Sequence, residues 1–346
     1  MATILSRQAP PHRFSVAPMM DCTDRHFRVL MRQISRRCLL YTEMVVANAL
    51  HHARRRPPAE RERCLERLIG FDGCERPLVL QLGGEDPQLL AEAAELAAEW
   101  GYDELNLNVG CPSPRVRSGR FGACLMDEPE RVARCVRAMA QASGLPVSVK
   151  HRVGLNGAAS LETLERFMLP VAAAGACRFS VHARSAWLEG LDPKQNRTVP
   201  PLRHDLVQTM KARHPELVIE LNGGLEDLEQ CRQALGWADG VMVGRAAYGH
   251  PLRWSRVDQV LFGEGRPEPS AALEPSRVLL DLVPYAERWC EGGGRLWALG
   301  RHLVHLVEGL PGARRWRQRF TTAACRAGAG AQSLVAAAAE LAAAGH

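Results

Sequence analysis

Aromatic residues are scarce in this chain of 346 residues, at 5% of the total, so a broad aromatic platform for stacking ligands is not expected. Its 11 cysteines are odd in number and contain no CxxC pair, which argues against a disulfide framework or a metal site and favours reduced thiols in a cytoplasmic setting. The apolar run within residues 1–13 is too short for a signal peptide. The Ala/Leu-rich stretch 334–345, broken by Glu340, is shorter than the roughly 18 residues that span a bilayer, so no membrane association is expected.

Charge is distributed unevenly along an otherwise ordinary globular composition of 46% hydrophobic and 24% charged residues. The formal net charge is +6, and the segment 295–326, with seven arginines and the single acid Glu308, carries all of this excess. A concentrated basic segment favours a polyanionic partner such as nucleic acid, although a solvated helix face gives the same pattern. No obligate protein partner is implied.

Strand-like and helical runs alternate from residue 13 to about residue 254. Eight candidate strands lie at 14–20, 39–45, 77–82, from 105 onward, 146–153, 178–183, 218–222 and 240–244. Helix starts are indicated at Asp86-Pro87, at a capping box of Asp127 and Glu130, and at Ser160. Eight β/α units in this length predict a closed (β/α)8 (TIM) barrel. A doubly wound open sheet is the alternative, but the first βα turn lacks the dinucleotide-binding glycine motif.

The pattern changes after the barrel segment. Residues 261–275 are rich in Pro, Gly and Glu and predict a linker. Helices are then expected at 278–289, 296–307, 313–326 and 332–344. We therefore predict a catalytic barrel at 1–260, a linker at 261–275 and a helical domain at 276–346 that carries the arginines. Within it, Trp316 and Phe320 should pack inward.

Polar side chains recur where the predicted strands end, which in such barrels is where the chemistry takes place. Cys111 follows the strand that begins at Leu105, and a thiol there indicates an acid or a nucleophile. Lys150 indicates either a Schiff-base nucleophile or the positive partner of an electron-rich ring. Asn222-Gly223-Gly224 and Gly244-Arg245 follow the last two strands and predict a phosphate site of bare backbone and one guanidinium. His182, beside them, is expected to contact the ligand.

Several motifs together resemble the tRNA-dihydrouridine synthases: APMMDCTDRHFR, LNLNVGCPS, VKHRVG, LNGG and VMVGRAAY, in family order over residues 12–325. SAWLEGLDPKQNR and GLPGARRWRQRF resemble the bacterial A-type subfamily, which acts at positions 20 and 20a of the D-loop. The resemblance implies an FMN-dependent enzyme that reduces uridine in tRNA with NADPH or NADH. Two positions depart from the family pattern, because Cys22 stands where Trp is expected and His151 where Thr is usual.

The resemblance also implies roles for individual residues. Cys111 would be the proton donor, a role that suits a thiol because it is largely protonated near neutral pH. The residues expected to hold FMN are Ala17, Pro18, Met19, Gln81, Lys150, His182, Asn222, Gly223, Gly224, Gly244 and Arg245. Those expected to contact tRNA are Asn108, Lys194, Arg197, Arg314 and Arg317. Two other functions remain open: a flavin barrel that reduces a small molecule, of the dihydroorotate or ene-reductase type, and an RNA-binding protein with an idle barrel.

Overall fold

A parallel β-barrel forms the first and larger part of the molecule. The computed structural model describes residues 10–263 and 273–346. Its strands are β1 (Phe14–Val16), β2 (Leu40–Tyr41), β3 (Val45–Val46), β4 (Leu78–Gly83), β5 (Glu104–Val109), β6 (Val147–Arg152), β7 (Gly154–Leu155), β8 (Ala158–Ala159), β9 (Arg178–His182), β10 (Ile219–Asn222) and β11 (Gly240–Val243). The strands β7 and β8 form a separate antiparallel hairpin, and the others form one parallel sheet.

The sheet closes on itself. Neighbouring strands follow the order β1-β11-β10-β9-β6-β5-β4-β2, with β3 also paired to β4. Closure comes from Leu39, just ahead of β2. Its N–H donates to the carbonyl of Phe14 at 3.0 Å, and its carbonyl accepts from the N–H of Val16 at 3.0 Å. The predicted (β/α)8 barrel is confirmed, and the open doubly wound sheet is excluded.

Two of the predicted strands differ from the structure. The first ends at Val16 rather than Met20, and the second is interrupted, since 42–44 separate β2 from β3. Both short strands pair with β4, so the interruption turns the chain without breaking the barrel. The other six strands of the barrel match their predicted positions to within about two residues, whereas the hairpin of β7 and β8 was not predicted.

Helices pack around the outside of the barrel: α1 (Arg25–Ile34), α2 (Ala47–Arg54), α3 (Pro58–Ile69), α4 (Pro87–Glu99), α5 (Pro114–Ser118), α6 (Pro129–Ser143), α7 (Leu161–Ala173), α8 (His204–Arg213), α9 (Leu228–Ala234), α10 (Arg245–Gly249) and α11 (Val257–Phe262). The side chains of Asp86 and Ser160 cap α4 and α7 as predicted. The capping box predicted at Asp127 is wrong, because α6 begins at Pro129 and the residue before it, Glu128, makes no side-chain cap.

The C-terminal part is a bundle of helices: α12 (Pro275–Asp281), α13 (Val283–Glu291), α14 (Leu296–Leu303), α15 (Ala313–Ala324) and α16 (Gln332–Ala343). The single helix predicted at 278–289 is divided at Leu282, since Pro284 has no N–H to continue the helical hydrogen bonding. Trp316 and Phe320 are buried, with ring centroids 5.0 Å apart, as predicted.

The two parts share one continuous hydrophobic core, which runs from Phe14 in β1 to Leu341 in α16. The predicted domain boundaries therefore do not coincide with a break in packing, and they stay predictions. The linker predicted at 261–275 falls mostly outside the described residues, while its ends, at Phe262 and Pro275, belong to α11 and α12. None of the described helices is long and apolar enough to cross a bilayer.

Candidate active site

A cleft of about 1800 Å³ opens at the carboxyl ends of the barrel strands. It brings together residues that are distant in the sequence, because parallel strands all end at the same rim. All eleven residues predicted to hold the cofactor line this cleft: Ala17, Pro18, Met19, Gln81, Lys150, His182, Asn222, Gly223, Gly224, Gly244 and Arg245. Cys111, Asn108 and Arg197 line it as well, whereas Lys194, Arg314 and Arg317 do not.

Cys111 is held by the side chain of Asn108, at the end of β5. The Asn108 Oδ1 accepts hydrogen bonds from the backbone N–H groups of Cys111 at 3.0 Å and Gly110 at 3.2 Å. Its Nδ2 donates to Oε1 of Gln81 at 2.9 Å. The thiol is half-buried, and its sulfur lies 3.6 Å from Oγ of Ser113. Asn108 thus fixes the turn that presents the thiol to the cleft.

Beneath the cleft, the barrel interior contains a buried polar network that the sequence interpretation missed. Arg178 donates to both carboxylate oxygens of Glu104, at 2.6 and 3.0 Å, and to the hydroxyl of Tyr41 at 2.8 Å. Its Nε lies 3.8 Å from a second buried acid, Glu220. The signal in the sequence was the alternation of polar residues along the strands at Glu104-Leu105-Asn106 and Arg178-Phe179-Ser180.

The network continues upward to the cleft. Ser148 donates to Glu104 at 2.5 Å and accepts from Nδ2 of Asn106 at 2.9 Å. The Oδ1 of Asn106 in turn accepts from Nε2 of Gln81 at 2.7 Å. Gln81 therefore joins the interior network to Asn108 and, through it, to the turn that carries the thiol. Because each amide has a partner on either side, this part of the floor is pre-organised.

Lys150 and Arg152 bring positive charge into the cleft from β6. Burial, followed by the neighbouring Arg152, lowers the pKa of Lys150 to about 8. Arg152 is buried and donates to the carbonyls of Gly110 at 3.2 Å and Asn196 at 2.9 Å, and burial lowers its pKa to about 10. Within the described part of the chain no carboxylate forms an ion pair with either residue. This end of the cleft thus attracts anions.

The glycine-rich end of the cleft is shaped by close packing. Gly223 has a φ of 105°, and a β-carbon there would lie 2.8 Å from Cδ2 of His182. Gly224 has a φ of 75°, and a β-carbon there would meet Leu202 at 2.5 Å. Only glycine satisfies both requirements, so the sequence keeps this backbone bare. Arg245 follows one strand later, and its Nη2 donates to the carbonyl of Arg197 at 3.2 Å.

His182 is neutral in this setting. Burial, followed by the nearby charges of Arg152 and Lys150, lowers its pKa well below the ordinary value. The ring lies so close to Gly223 that a β-carbon at this position would be 2.8 Å from Cδ2 of His182. It can therefore offer a hydrogen bond to a ligand without adding charge.

The long loop after β9 is organised by the buried side chain of Asn196. Its Oδ1 accepts from the N–H of Trp187 at 2.7 Å, and its Nδ2 donates to the carbonyls of Trp187 and Leu191 at 2.9 and 3.1 Å. The flanking Lys194 and Arg197 are exposed. The loop therefore exposes both cations that are predicted to contact RNA, and of the two only Arg197 reaches the cleft lining.

The two departures from the family pattern lie in different places. Cys22 is half-buried and lines the cleft, so the edge of the pocket differs there. His151 is fully buried outside the barrel wall, where its ring packs against Phe167 of α7 with centroids 4.8 Å apart. The second departure therefore belongs to the packing of sheet against helix and does not reach the cleft.

The basic helix α15 carries Arg314 and Arg317 on its outer side. Arg314 is exposed, and Arg317 pairs with Glu308. Their inward neighbours on the same helix are Trp316 and Phe320. The predicted shared face of the two arginines therefore points away from the core, and neither residue reaches the cleft lining.

The chain is similar to known proteins over most of its length. A sequence model of a family described as "Dihydrouridine synthase (Dus)" matches residues 15–342. The chain is 49% identical to the tRNA-dihydrouridine(20/20a) synthase of Synechocystis sp. over 320 residues, which cover 92% of each protein. It is 51% identical to the Pseudomonas aeruginosa protein of the same description over 306 residues, 88% of each chain. With the Shewanella oneidensis counterpart the identity is 48%, over 92% of this chain and 90% of the other.

Proposed function

The chain belongs to the dihydrouridine synthase family, and we propose that it reduces uridine to 5,6-dihydrouridine in the D-loop of tRNA, at positions 20 and 20a. The proposed cofactor is FMN, with NADPH as the reductant. The observation that carries this proposal is the joint placement in one cleft of a thiol, a bare glycine backbone and an amine that pairs with no carboxylate of the described residues. A cytoplasmic location is proposed because tRNA is the substrate.

The residues of the cleft fit FMN. A phosphate would find two kinds of donor here: the backbone N–H groups of Gly223 and Gly224, and the guanidinium of Arg245. The two positions must be glycine, because β-carbons there would clash with His182 and Leu202. We find no hydrogen-bond partner for the Lys150 amine among the described residues, so it is available to the electron-rich edge of a flavin ring. Of the two roles that the sequence left open for Lys150, charge stabilisation is the one proposed.

Cys111 is the proposed acid of the reaction. When bound and reduced, the flavin supplies a hydride for C6 of the uracil ring. The thiol of Cys111 donates the proton to C5 on the other side of the double bond. Asn108 keeps the thiol in place through its bonds to the N–H groups of Cys111 and Gly110. The cysteine is then reprotonated from solvent, to which it is partly open.

RNA recognition is proposed for two separate cationic regions. Lys194 and Arg197 lie on the exposed loop after β9, beside the cleft. Arg314 and Arg317 lie on α15 of the C-terminal bundle, where they would contact backbone phosphates. The target base must leave the folded RNA to reach the cleft, and a loop nucleotide can do so at moderate cost.

The test uses purified protein and tRNA from a strain that lacks the enzyme. We expect a yellow protein that oxidises NADPH and forms dihydrouridine at positions 20 and 20a, as mapped by mass spectrometry. Cys111→Ala should keep its flavin and lose about 100-fold or more in the rate of base reduction, the usual contribution of a positioned acid.

The matched control is Cys124→Ala. This thiol lies on the same loop, donates to the carbonyl of Phe121 at 3.2 Å and is not part of the cleft lining. Its loss should leave the rate unchanged. A flavin-loaded wild-type protein that forms no dihydrouridine would refute the proposed substrate, and full activity of Cys111→Ala would refute the acid.

A further inference from the structure

The loop between β1 and α1 carries three of the proposed flavin contacts, Ala17, Pro18 and Met19, and it is held by its own internal hydrogen bonds. The N–H groups of Cys22 and Thr23 donate to the carbonyl of Met19 at 3.1 and 3.0 Å. The hydroxyl of Thr23 accepts from the N–H of Met19 at 3.0 Å. The position of Met19 therefore depends on that of Thr23.

The tip of this loop has an unfavourable backbone conformation. Asp21 has a φ of 62°, in the left-handed region that residues with a side chain seldom adopt. Its N–H donates to Glu43, and the residue is exposed. Such a conformation persists only where surrounding contacts hold it.

Arg301, from α14 of the C-terminal bundle, makes two contacts with this loop, one to Asp21 and one to Asp24. Its Nη1 donates to the carbonyl of Asp21 at 3.0 Å, and its Nη2 donates to Oδ2 of Asp24 at 2.6 Å. The other oxygen of Asp24 accepts from the N–H of Phe27 at 3.0 Å, and so caps α1. It also lies 2.9 Å from Nε2 of the buried His302. Burial alone would raise the pKa of Asp24, but His302 and then Arg301 hold that pKa well below its usual range, so the carboxylate is ionised.

The helix that carries Arg301 packs closely on the proposed RNA-binding helix α15. A β-carbon at Gly300 would lie 3.4 Å from Cβ of Ala324 and 3.5 Å from Cε1 of Phe320. The inner face of α15 thus contacts the residue next to Arg301, while its outer side carries Arg314 and Arg317. The packed helices α14 and α15 therefore carry both the arginines proposed to bind phosphate, Arg314 and Arg317, and Arg301, which contacts the loop between β1 and α1.

We propose that Arg301 is a positioning residue that couples the C-terminal bundle to the flavin-binding loop, so that tRNA bound to the bundle slows the release of FMN. This inference rests on the proposed function. Coupling between two sites is reciprocal, so FMN should also tighten the binding of tRNA by the same factor.

The test compares Arg301→Gln with Arg288→Gln. Arg288 also forms an ion pair between the bundle and the barrel segment, 3.2 Å from Asp72, and its partner lies outside the flavin loop. The measurement is the rate of FMN release from the holoenzyme after dilution, followed by the fluorescence of free flavin, with and without undermodified tRNA. Arg301→Gln should release FMN about tenfold faster and lose the effect of tRNA, and Arg301→Lys should recover part of both. Arg288→Gln should stay within about twofold of the wild type, as expected for an exposed ion pair.

A second variant, Thr23→Val, loosens the same loop from the barrel side and leaves the domain contact intact. It should release FMN faster while keeping Arg301 bound to Asp24. Should Arg301→Gln fail to fold, normal FMN release from Thr23→Val would overturn the inference. If Arg301→Gln folds, release at the wild-type rate with the effect of tRNA preserved would overturn it. A wild-type protein that takes up no FMN would instead refute the proposed function.

Discussion

If Lys150 contacts FMN as proposed, the binding of FMN should depend on pH in a direction that follows from the surroundings of this amine. Its pKa is lowered to about 8, first by burial and then by Arg152. A flavin that accepts a hydrogen bond from the ammonium keeps the proton on Lys150, so the protonated form is the one that binds. Affinity should therefore be full below pH 8 and should be lost as the pH rises through that value.

The expected size of the effect can be calculated. With a pKa of about 8, Lys150 is roughly 90% protonated at pH 7 and roughly 10% protonated at pH 9. The apparent dissociation constant varies inversely with the fraction of the protein that is competent to bind. The Kd for FMN should thus rise about tenfold between pH 7 and pH 9, which corresponds to about 1.4 kcal/mol.

The assay is a titration of apoprotein with FMN, followed by quenching of flavin fluorescence at pH 7, 8 and 9 and constant ionic strength. Lys150→Met should bind FMN more weakly at pH 7 and should not show the tenfold change. Lys150→Arg, which stays charged throughout, should also give a flat profile. If Lys150→Met retained the wild-type pH profile, the dependence would belong to another group and the reasoning would be wrong.

Two more perturbations have defined outcomes. Arg178→Met leaves Glu104 and Glu220 buried without their cation, so the free energy of unfolding should fall by about 3–5 kcal/mol in a urea titration. A loss below about 1 kcal/mol would contradict the view of this network as a coupled buried cluster. Arg314→Glu combined with Arg317→Glu should weaken tRNA binding. The slope of log K against log salt concentration should become shallower by the amount expected for the loss of about two phosphate contacts. Flavin content should stay unchanged, and unaltered tRNA affinity would rule out the proposed role of α15.

Most of the barrel and the composition of its cleft could be predicted from the sequence because both depend on local patterns. Each strand has its own run of apolar residues, and each candidate site residue stands near the carboxyl end of such a run. Parallel topology then brings the ends together without further information. Cys111, Lys150, His182 and the Asn222-Gly223-Gly224 turn therefore share one cleft as predicted, although they are spread over more than 100 residues of chain.

The features that the sequence interpretation missed are mostly contacts over long distances in the chain. Glu104 and Arg178 are separated by 74 positions, and Asp24 and Arg301 by 277, so no local periodicity identifies the partner. The division of α12 from α13 was missed for a different reason. Pro284 is a local signal for a helix start, but the apolar pattern on both sides of it predicted one continuous helix. The spacing of Asp127 and Glu130 matches a capping box, but α6 begins at Pro129 with Glu128 at its N-cap, so Asp127 lies one residue too early to cap the helix.

Asn108 shows how a predicted RNA contact and a positioning role can belong to one side chain. An asparagine amide offers two acceptor positions and two donors. Here the oxygen accepts from the N–H groups of Gly110 and Cys111, and one N–H donates to Gln81. One donor therefore remains, on a residue that lines the cleft. In the proposed contact with the base, Asn108 would donate to a carbonyl oxygen of the uracil ring, since its own oxygen is occupied by the turn that carries the thiol. A base that presents only a donor to this amide would have to break that turn to bind.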